Sequence, residues 1–495
     1  MKITKAFFIL TVLYLASSVL CACRLEAKEP AISLGRDEVM RLAVENNLDI
    51  KLARIDAEYI YTDVDDAKSV FDAIISAGAD YEDNSLKAAS SFLGGESHTA
   101  NYNFGVSKKF GSGTSVGLDF TNKRSSVNSA FVTLNPSHES AIALTVSQPV
   151  GKNFFGLADR GDVEAAKLNV EQADLLSLNK IEQALAQAEI EYWSIVFSCR
   201  VVELKKRMLD KAEFLYEVYS DRFSRGISEK PDLFASKANV NIRKIDLRVA
   251  ENEVLSASNL LKLSLNINFA SSFTPRDAIE ILPQKVELIP NMKQAINSRR
   301  DYLAAVKKVE AQEIEVAVKK NNLWPEIDLV ASFKRNGIDT DGREAIRDVF
   351  DENNSDYYFG VNISLPLENR KAGSQYKKAR LLKKKALISL KKLELTIVSE
   401  LDNKVRGVNL DAEKIEKWSK VVKLEQAKLD EEHKRVMYGR SNSDTLIRFQ
   451  NDLLSAQLNL ALTYFEYRVS KIELELAKNA MLANLSRQNI LIIKD

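Results

Sequence analysis

Proline placement constrains this chain more than any other feature. The nine prolines are Pro30, Pro136, Pro149, Pro231, Pro275, Pro283, Pro290, Pro325 and Pro366; none falls between 149 and 231, and none after 366. Proline removes a helix hydrogen bond and clashes with the preceding turn. Long helices can therefore run in those two gaps.

The first gap carries a helical seam. Leu178, Ile181, Leu185, Ala188, Tyr192, Ile195, Cys199, Val202, Leu209, Ala212, Tyr216, Tyr219 and Phe223 step by three and four, with one skipped slot at Lys206. That is the spacing of a coiled-coil stripe. Tyr192, Cys199 and Tyr216 are read as seam packing. The second gap repeats the pattern through Leu390, Leu393, Ile397, Leu401, Val405, Val408, Ala412, Ile415, Trp418 and Val422. At 1.5 Å per residue each helix would be roughly 100 Å long.

Each long helix ends at a glycine turn, Arg222-Phe223-Ser224-Arg225-Gly226 and Arg435-Val436-Met437-Tyr438-Gly439, followed by Asp232 and Asp444. Glycine suits the left-handed residue past a helix end, and a carboxylate suits the first turn of the next helix. Strand patterns precede each long helix. Tyr357, Phe359, Val361, Ile363, Leu365 and Leu367 alternate with Gly360, Asn362 and Ser364; Ile142, Leu144, Val146 and Val150 alternate with Ala143, Thr145 and Ser147. Residues 71–81 and 325–335 read the same way. One apolar and one polar face over about ten residues is what a transmembrane barrel strand requires.

The order then recurs. Ala43 and Asp49 of Ala43-Val44-Glu45-Asn46-Asn47-Leu48-Asp49 match Ala295 and Asp301 at a constant offset of 252 residues, and Ser147-Gln148-Pro149-Val150 matches Ser364-Leu365-Pro366-Leu367. The predicted fold is mainly α with membrane β, in a duplicated helix-strand-strand-long helix-helix unit. The layout is a signal peptide over 1–22 and a first repeat over 31–268, with strands about 71–81 and 139–150, a long helix about 161–225 and a helix 232–265. A linker over 269–289 follows. The second repeat covers 290–484, with strands about 325–335 and 357–367, a long helix about 374–438 and a helix 444–480, before a tail over 485–495.

Two further alternating segments, Tyr102 to Phe110 and Thr114 to Asn122, flank Gly111-Ser112-Gly113. They could add a membrane hairpin, making eighteen strands in a trimer, or fold as an extracellular or lumenal hairpin. Lys108 on the apolar face favours the second reading.

Lys2 and Lys5 precede an apolar run from Phe7 to Leu20, the pattern of a secretory signal too short to span a bilayer. Leu20-Cys21-Ala22-Cys23 resembles a lipoprotein signal with Cys23 as acceptor; ordinary cleavage nearby, for instance after Ala27, is the other open reading. With 70 basic and 69 acidic residues, net charge +1, no global field steers nucleic acid toward the chain. His98, His138 and His433 are scattered without zinc spacing. No phosphate loop or nucleophile-base pair is visible, so neither enzyme activity nor a cofactor is expected. Nine basic residues between Lys371 and Lys392 form a run just after a strand. This is read as a solvated helix face, with contact to anionic headgroups as the sharper alternative.

Together the signal segment, the Leu34 to Ile50 opening helix, the Phe71-Asp72 strand entry, the Ser-Gln-Pro and Ser-Leu-Pro strand exits and the paired glycine turns resemble the TolC-like outer membrane factor family of outer membrane efflux proteins. The resemblance spans nearly all of the chain past the signal. It implies a homotrimer in the outer membrane of a Gram-negative bacterium, each protomer giving about four strands to a shared barrel and its helices to a periplasmic tunnel. It implies a passive conduit docking a periplasmic adaptor of an inner-membrane pump or type I secretion system. By resemblance, Arg222, Phe223, Gly226, Arg435, Tyr438 and Gly439 fall at the adaptor-docking tips, and Asp444 with Arg440 at a candidate pore gate. A second acid usually follows three residues on; here that residue is Ile447, which weakens the gate. A periplasmic coiled-coil adaptor or structural protein without a membrane barrel is the alternative reading.

Overall fold

The structure is a computed structural model that describes residues 32–86, 96–129, 131–271, 273–438, 440 and 442–487. Its elements are strand β1 (Ile32–Leu34), helices α1 (Arg36–Asn46) and α2 (Leu48–Lys68), strands β2 (Ala73–Asn84), β3 (Ser97–Lys109), β4 (Ser115–Val127) and β5 (Ser137–Pro149), and helices α3 (Leu157–Ser224) and α4 (Lys230–Ser264). Then come strand β6 (Phe273–Pro275), helices α5 (Leu288–Ser298) and α6 (Arg300–Asn321), strand β7 (Glu326–Asp339), helix α7 (Gly342–Asp351) and strand β8 (Ser355–Ser364). Helices α8 (Arg370–Met437), α9 (Ser443–Ala477) and α10 (Met481–Arg487) close the chain.

The duplication is visible in the helix lengths. α1 and α5 each have 11 residues, α2 and α6 have 21 and 22, α3 and α8 each have 68, and α4 and α9 each have 35. The seam positions Leu185, Ala188, Tyr192 and Ile195 of α3 are fully buried, as are Leu401 and Val408 of α8.

The described residues fall into two compact units. One holds residues up to Leu52, Lys180–Ser298 and Val398 onward. In it β1 and β6 pair in parallel, and residues after β6 form a strap. Gln284 N–H donates to the Tyr467 hydroxyl at 2.8 Å, and Val286 N–H to Asn409 Oδ1 at 2.9 Å. Arg468 lies 3.9 Å from the Trp193 ring centroid and donates to the Ala278 and Ile279 carbonyls. Buried Glu182 accepts from Asn479 Nδ2 at 2.6 Å and from Leu482 N–H at 3.0 Å, fastening the α9–α10 turn to α3.

The other unit holds Ala53–Asn179 and Arg299–Ile397. Its centre is an antiparallel sheet in the order β2-β3-β4-β5-β7-β8. This corrects the sequence reading. The segments 102–110 and 114–122, for which added strands and a separate hairpin were both open with the hairpin favoured, are parts of β3 and β4 inside the sheet, which has six strands where about four were expected. The register gives the reason. Ile75, Val106, Leu118, Leu144, Phe333 and Tyr357 lie side by side across all six strands, so both inserted strands continue the apolar face. Lys108 shares that face but sits one residue from the end of β3, opposite Ala73 and Val116. A long amine stem can reach water from there.

Between β7 and β8, α7 packs on β7 and β5. A Cβ on Gly337 would lie 2.4 Å from the Ala345 carbonyl oxygen, so the missing side chain lets the helix rest on the sheet. Ala345 and Val349 are buried there, while Phe350 stays exposed. No helix among the described residues is long and apolar enough to cross a membrane.

Candidate functional site

The two sheet faces differ as their residues dictate. The apolar row described above is flanked by a second, Ala77, Phe104, Phe120 and Ile142, before Arg335 on β7. Ile75 and Tyr357 are about two-thirds exposed and Phe359 is 80% exposed, so these positions are bare in one copy, whereas α7 rests on the far end of the same face at Gly337. The opposite face carries Ser76, Gly105, Asp119, Ala143, Lys334 and Asp356 in one row, and Asp80, Asn101, Lys123 and Glu139 in another. Asn101 Nδ2 donates to Asp80 Oδ2 at 2.6 Å across that row. An oily face and a hydrated face on one continuous sheet fit lipid on one side and water on the other. The outer edges of β2 and β8 have no strand partner in the sheet.

A collar ties the sheet to the start of α3. The β3–β4 turn, Gly111-Ser112-Gly113, rests on a tight turn at Phe154–Gly156. Arg160 Nη1 donates to the carbonyls of Gly111 and Phe155, both at 2.6 Å. Lys109 pairs with Asp159 at 2.6 Å. Gln148 accepts from Thr114 Oγ1 at 2.5 Å and donates to the Ser112 carbonyl at 3.1 Å. Asn153 Oδ1 accepts from Ala158 N–H at 2.8 Å, occupying one of the free donors at the start of α3. Neither Arg160 nor Gln148 was singled out as a site from sequence, although Gln148 lies in the Ser-Gln-Pro exit.

At the far end of α3, Gly226 has φ +73°. Ile227 N–H donates to the Arg222 carbonyl at 2.8 Å and Gly226 N–H to the Phe223 carbonyl at 2.9 Å. That double closure is the Schellman motif, and it satisfies carbonyls the helix leaves open. At the second turn Arg440 N–H closes on the Arg435 carbonyl at 2.9 Å. Gly439 and Cys23 lie outside the described residues. The two turns come together: Arg222 Nη2 reaches the Val436 carbonyl at 3.4 Å, and Ser443 Oγ hydrogen-bonds Asp232. Beneath them Leu215, Tyr219, Leu429, Val436, Leu446 and Leu453 form a buried cluster. Ile447 packs against that cluster, so the residue three beyond Asp444 is a core contact. Asp444 itself is exposed in the first turn of α9, and Asn442 caps that helix by accepting from Thr445 N–H at 3.0 Å. Arg435 and Arg440 are exposed, and Arg435 contacts Glu432 at 3.4 Å. Tyr438 is 78% and Ile227 73% exposed, and Phe223 and Phe234 stand out beside them.

Several helices also present apolar stripes that one copy leaves bare. Leu48, Leu52, Ile55 and Tyr59 of α2, spaced four, three and four, are each more than half exposed. Leu381, Ile388 and Leu395 of α8, seven apart, are exposed as well. Large exposed apolar surface of this kind marks contact with protein or membrane. The basic run on α8 is largely solvated, with Lys383 paired to Glu313 at 2.8 Å.

A two-faced antiparallel sheet and paired long helices make up the architecture that the comparisons address. Residues 291–479 match the model of the outer membrane efflux protein family. The solved fold of the Campylobacter jejuni CmeC outer membrane channel is similar, with a TM-score of 0.68 at 14% identity, covering 92% of this chain and 90% of that one. The Vibrio cholerae outer membrane protein VceC gives 0.68 at 14% identity, covering 90% and 95%. The open state of the Neisseria gonorrhoeae MtrE outer membrane channel gives 0.66 at 14% identity, covering 90% and 89%. No curated protein matches the sequence. The family match lies in the second repeat, and over nine-tenths of its length the chain shares the fold of these channels. The family and these neighbours are channels, and the reading as a periplasmic coiled-coil adaptor is not favoured.

Proposed function

We propose that three copies of this chain form a passive outer-membrane conduit, with the helices in the periplasm and the tip turns docked on an adaptor of an inner-membrane pump or type I secretion system. The observation that carries this reading is the sheet: apolar rows on one face, polar rows on the other and two edges without a strand partner. An open edge in lipid leaves backbone donors and acceptors without partners, at several kcal/mol each. Edges of neighbouring copies can satisfy one another, and the bare stripes on α2 and α8 supply helical contacts for the same assembly. Export through such a tube needs no chemistry from the chain.

At the tips, Phe223, Ile227 and Tyr438 offer exposed apolar anchors beside Arg222, Arg435 and Arg440, a composition suited to a helical partner of mixed charge. Gly226 sets the first turn, Gly439 is the corresponding tip residue by sequence, and Asp444 with Arg440 is the candidate gate. Cys23 is the candidate lipid anchor.

Outer-membrane extraction in detergent, a heat-resistant trimer on a gel and conductance in a planar bilayer test the conduit. A soluble monomer without conductance would overturn it. Capture of the cognate adaptor tests the tips: Ile227→Asp with Tyr438→Asp should reduce capture at least tenfold and leave the trimer intact. Unchanged capture would remove the tips from the docking surface.

A further inference from the structure

We infer that the assembled pore is closed by eighteen strands, six from each of three copies, with the seam between β8 of one copy and β2 of the next. This rests on the trimeric outer-membrane reading above.

The inserted strands behave as wall. β3 and β4 have 13 residues each. A tilted membrane strand needs about 9–11. β3 pairs residue by residue with β2 from Ser97 to Lys108, and with β4 along its whole length. The rows through Ile75, Val106, Leu118 and Leu144, and through Ala77, Phe104, Phe120 and Ile142, cross the insertion without a break. Folding this hairpin into the lumen or outside the membrane would give up both flanking ladders. It would also turn Val106, Leu118, Phe104 and Phe120 toward water.

The insertion also has its own footing. The extra turn rests on the segment that leads into α3. The collar supplies that rest: Gly111-Ser112-Gly113 is held by Arg160 and Gln148 at the level where β5 ends and β7 begins. The edges complete the argument. β2 runs away from this level and β8 returns to it, so adjoining copies place them antiparallel. Neither contains proline, and both are exposed along most of their length. Soluble proteins blunt such edges; these are left open for pairing.

Barrel diameter grows nearly in proportion to strand number. With strands about 4.8 Å apart and tilted about 40°, eighteen strands give a backbone diameter of roughly 36 Å, against roughly 24 Å for twelve. The lumenal cross-section is then about twice as large, and the barrel is not the step that limits cargo size.

The test uses the full-length protein in liposomes. An environment-sensitive fluorophore is placed at Leu118→Cys in β4, Leu144→Cys in β5 and Asp119→Cys, with the unmutated protein as blank. The expected result is several-fold stronger quenching by nitroxide-bearing lipid than by aqueous iodide at the first two positions, and the reverse at the third. Lipid quenching at Leu144→Cys with iodide quenching at Leu118→Cys would overturn the eighteen-strand wall and leave the membrane channel standing. Iodide quenching at both would overturn the membrane reading itself. Where labelled variants fail to assemble, an axial electron-microscopy view of the unmutated trimer counts the wall directly: eighteen strands support the inference, and twelve refute it.

Discussion

Gly113 and Gly156 meet backbone to backbone: a Cβ on Gly113 would lie 2.6 Å from the Gly156 nitrogen, and a Cβ on Gly156 would lie 2.6 Å from the Gly113 nitrogen. Both glycines have left-handed φ, +77° and +74°. Alanine at either position therefore meets two penalties, a left-handed backbone at about 1–2 kcal/mol and a contact too short for any Cβ. Gly113→Ala and Gly156→Ala should each lower the melting temperature of the protein. The double variant should fall short of the sum, because both act on one contact. Gly111→Ala is the control: nothing lies within 4 Å of its Cβ, and its φ is unstrained. A melting temperature lowered as much by Gly111→Ala would mean that the close approach is not what matters.

Gly226 isolates the conformational part of that cost. Its φ is +73° and a Cβ there meets open space. Gly226→Ala should cost about 1 kcal/mol without steric strain. The effect should stay local, as amide exchange about fivefold faster over Arg222–Ile227. Gly226→Asn should recover part of it, since asparagine tolerates the left-handed region better. Equal exchange in all three proteins would show that the turn is not held by this residue.

What the sequence makes legible here is what depends on local period. The three-and-four spacing places Leu185, Ala188, Tyr192 and Ile195 on one buried stripe because helix geometry alone puts them there. The two-residue alternation assigns Phe104 and Val106 to one strand face for the same reason. Which strand lies beside them is a different kind of fact. The pairing of Val106 with Leu118 and of Ile75 with Val106 is set by neighbours chosen in three dimensions. Lys108 misled the sequence reading because a charge on an apolar face looks costly until its depth is known, and depth is a property of the folded sheet. The collar was hidden for the same reason: Arg160 meets Gly111 across 49 residues, and Gln148 meets Ser112 across 36. No local pattern records either contact. Gly226, by contrast, was readable as a helix stop because the left-handed position past a helix end selects glycine by itself.

The buried carboxylate of Glu182 anchors the α9–α10 turn through Asn479 Nδ2 and Leu482 N–H. Glu182→Ala removes the acceptor and leaves buried donors behind, at about 1–3 kcal/mol. The C-terminal segment after Ala477 should then become the first site of cleavage in limited proteolysis. Because Leu204 and Met208 of α3 pack on Leu454 and Ala461 of α9, the proposed assembly should persist. Cleavage elsewhere first, at an unchanged rate, would remove Glu182 as the fastening.

His433 gives the tip end of α8 a pH response. Burial, with Lys211 nearby, pushes its pKa below the ordinary value of 6.5, and Asp430 opposes this in part. The folded chain therefore holds the imidazole neutral at a pH where the unfolded chain already binds a proton. In that window the unfolded state carries more protons, so stability rises with pH and falls as pH drops. The loss should begin near pH 6.5 and level off below the lowered folded value. A urea midpoint measured in detergent at pH 7.5 and pH 5.5 should fall on acidification in the parent protein. The fall should be smaller in His433→Gln, which cannot take up the proton. An identical fall in both would assign the response to carboxylates that titrate in the same range.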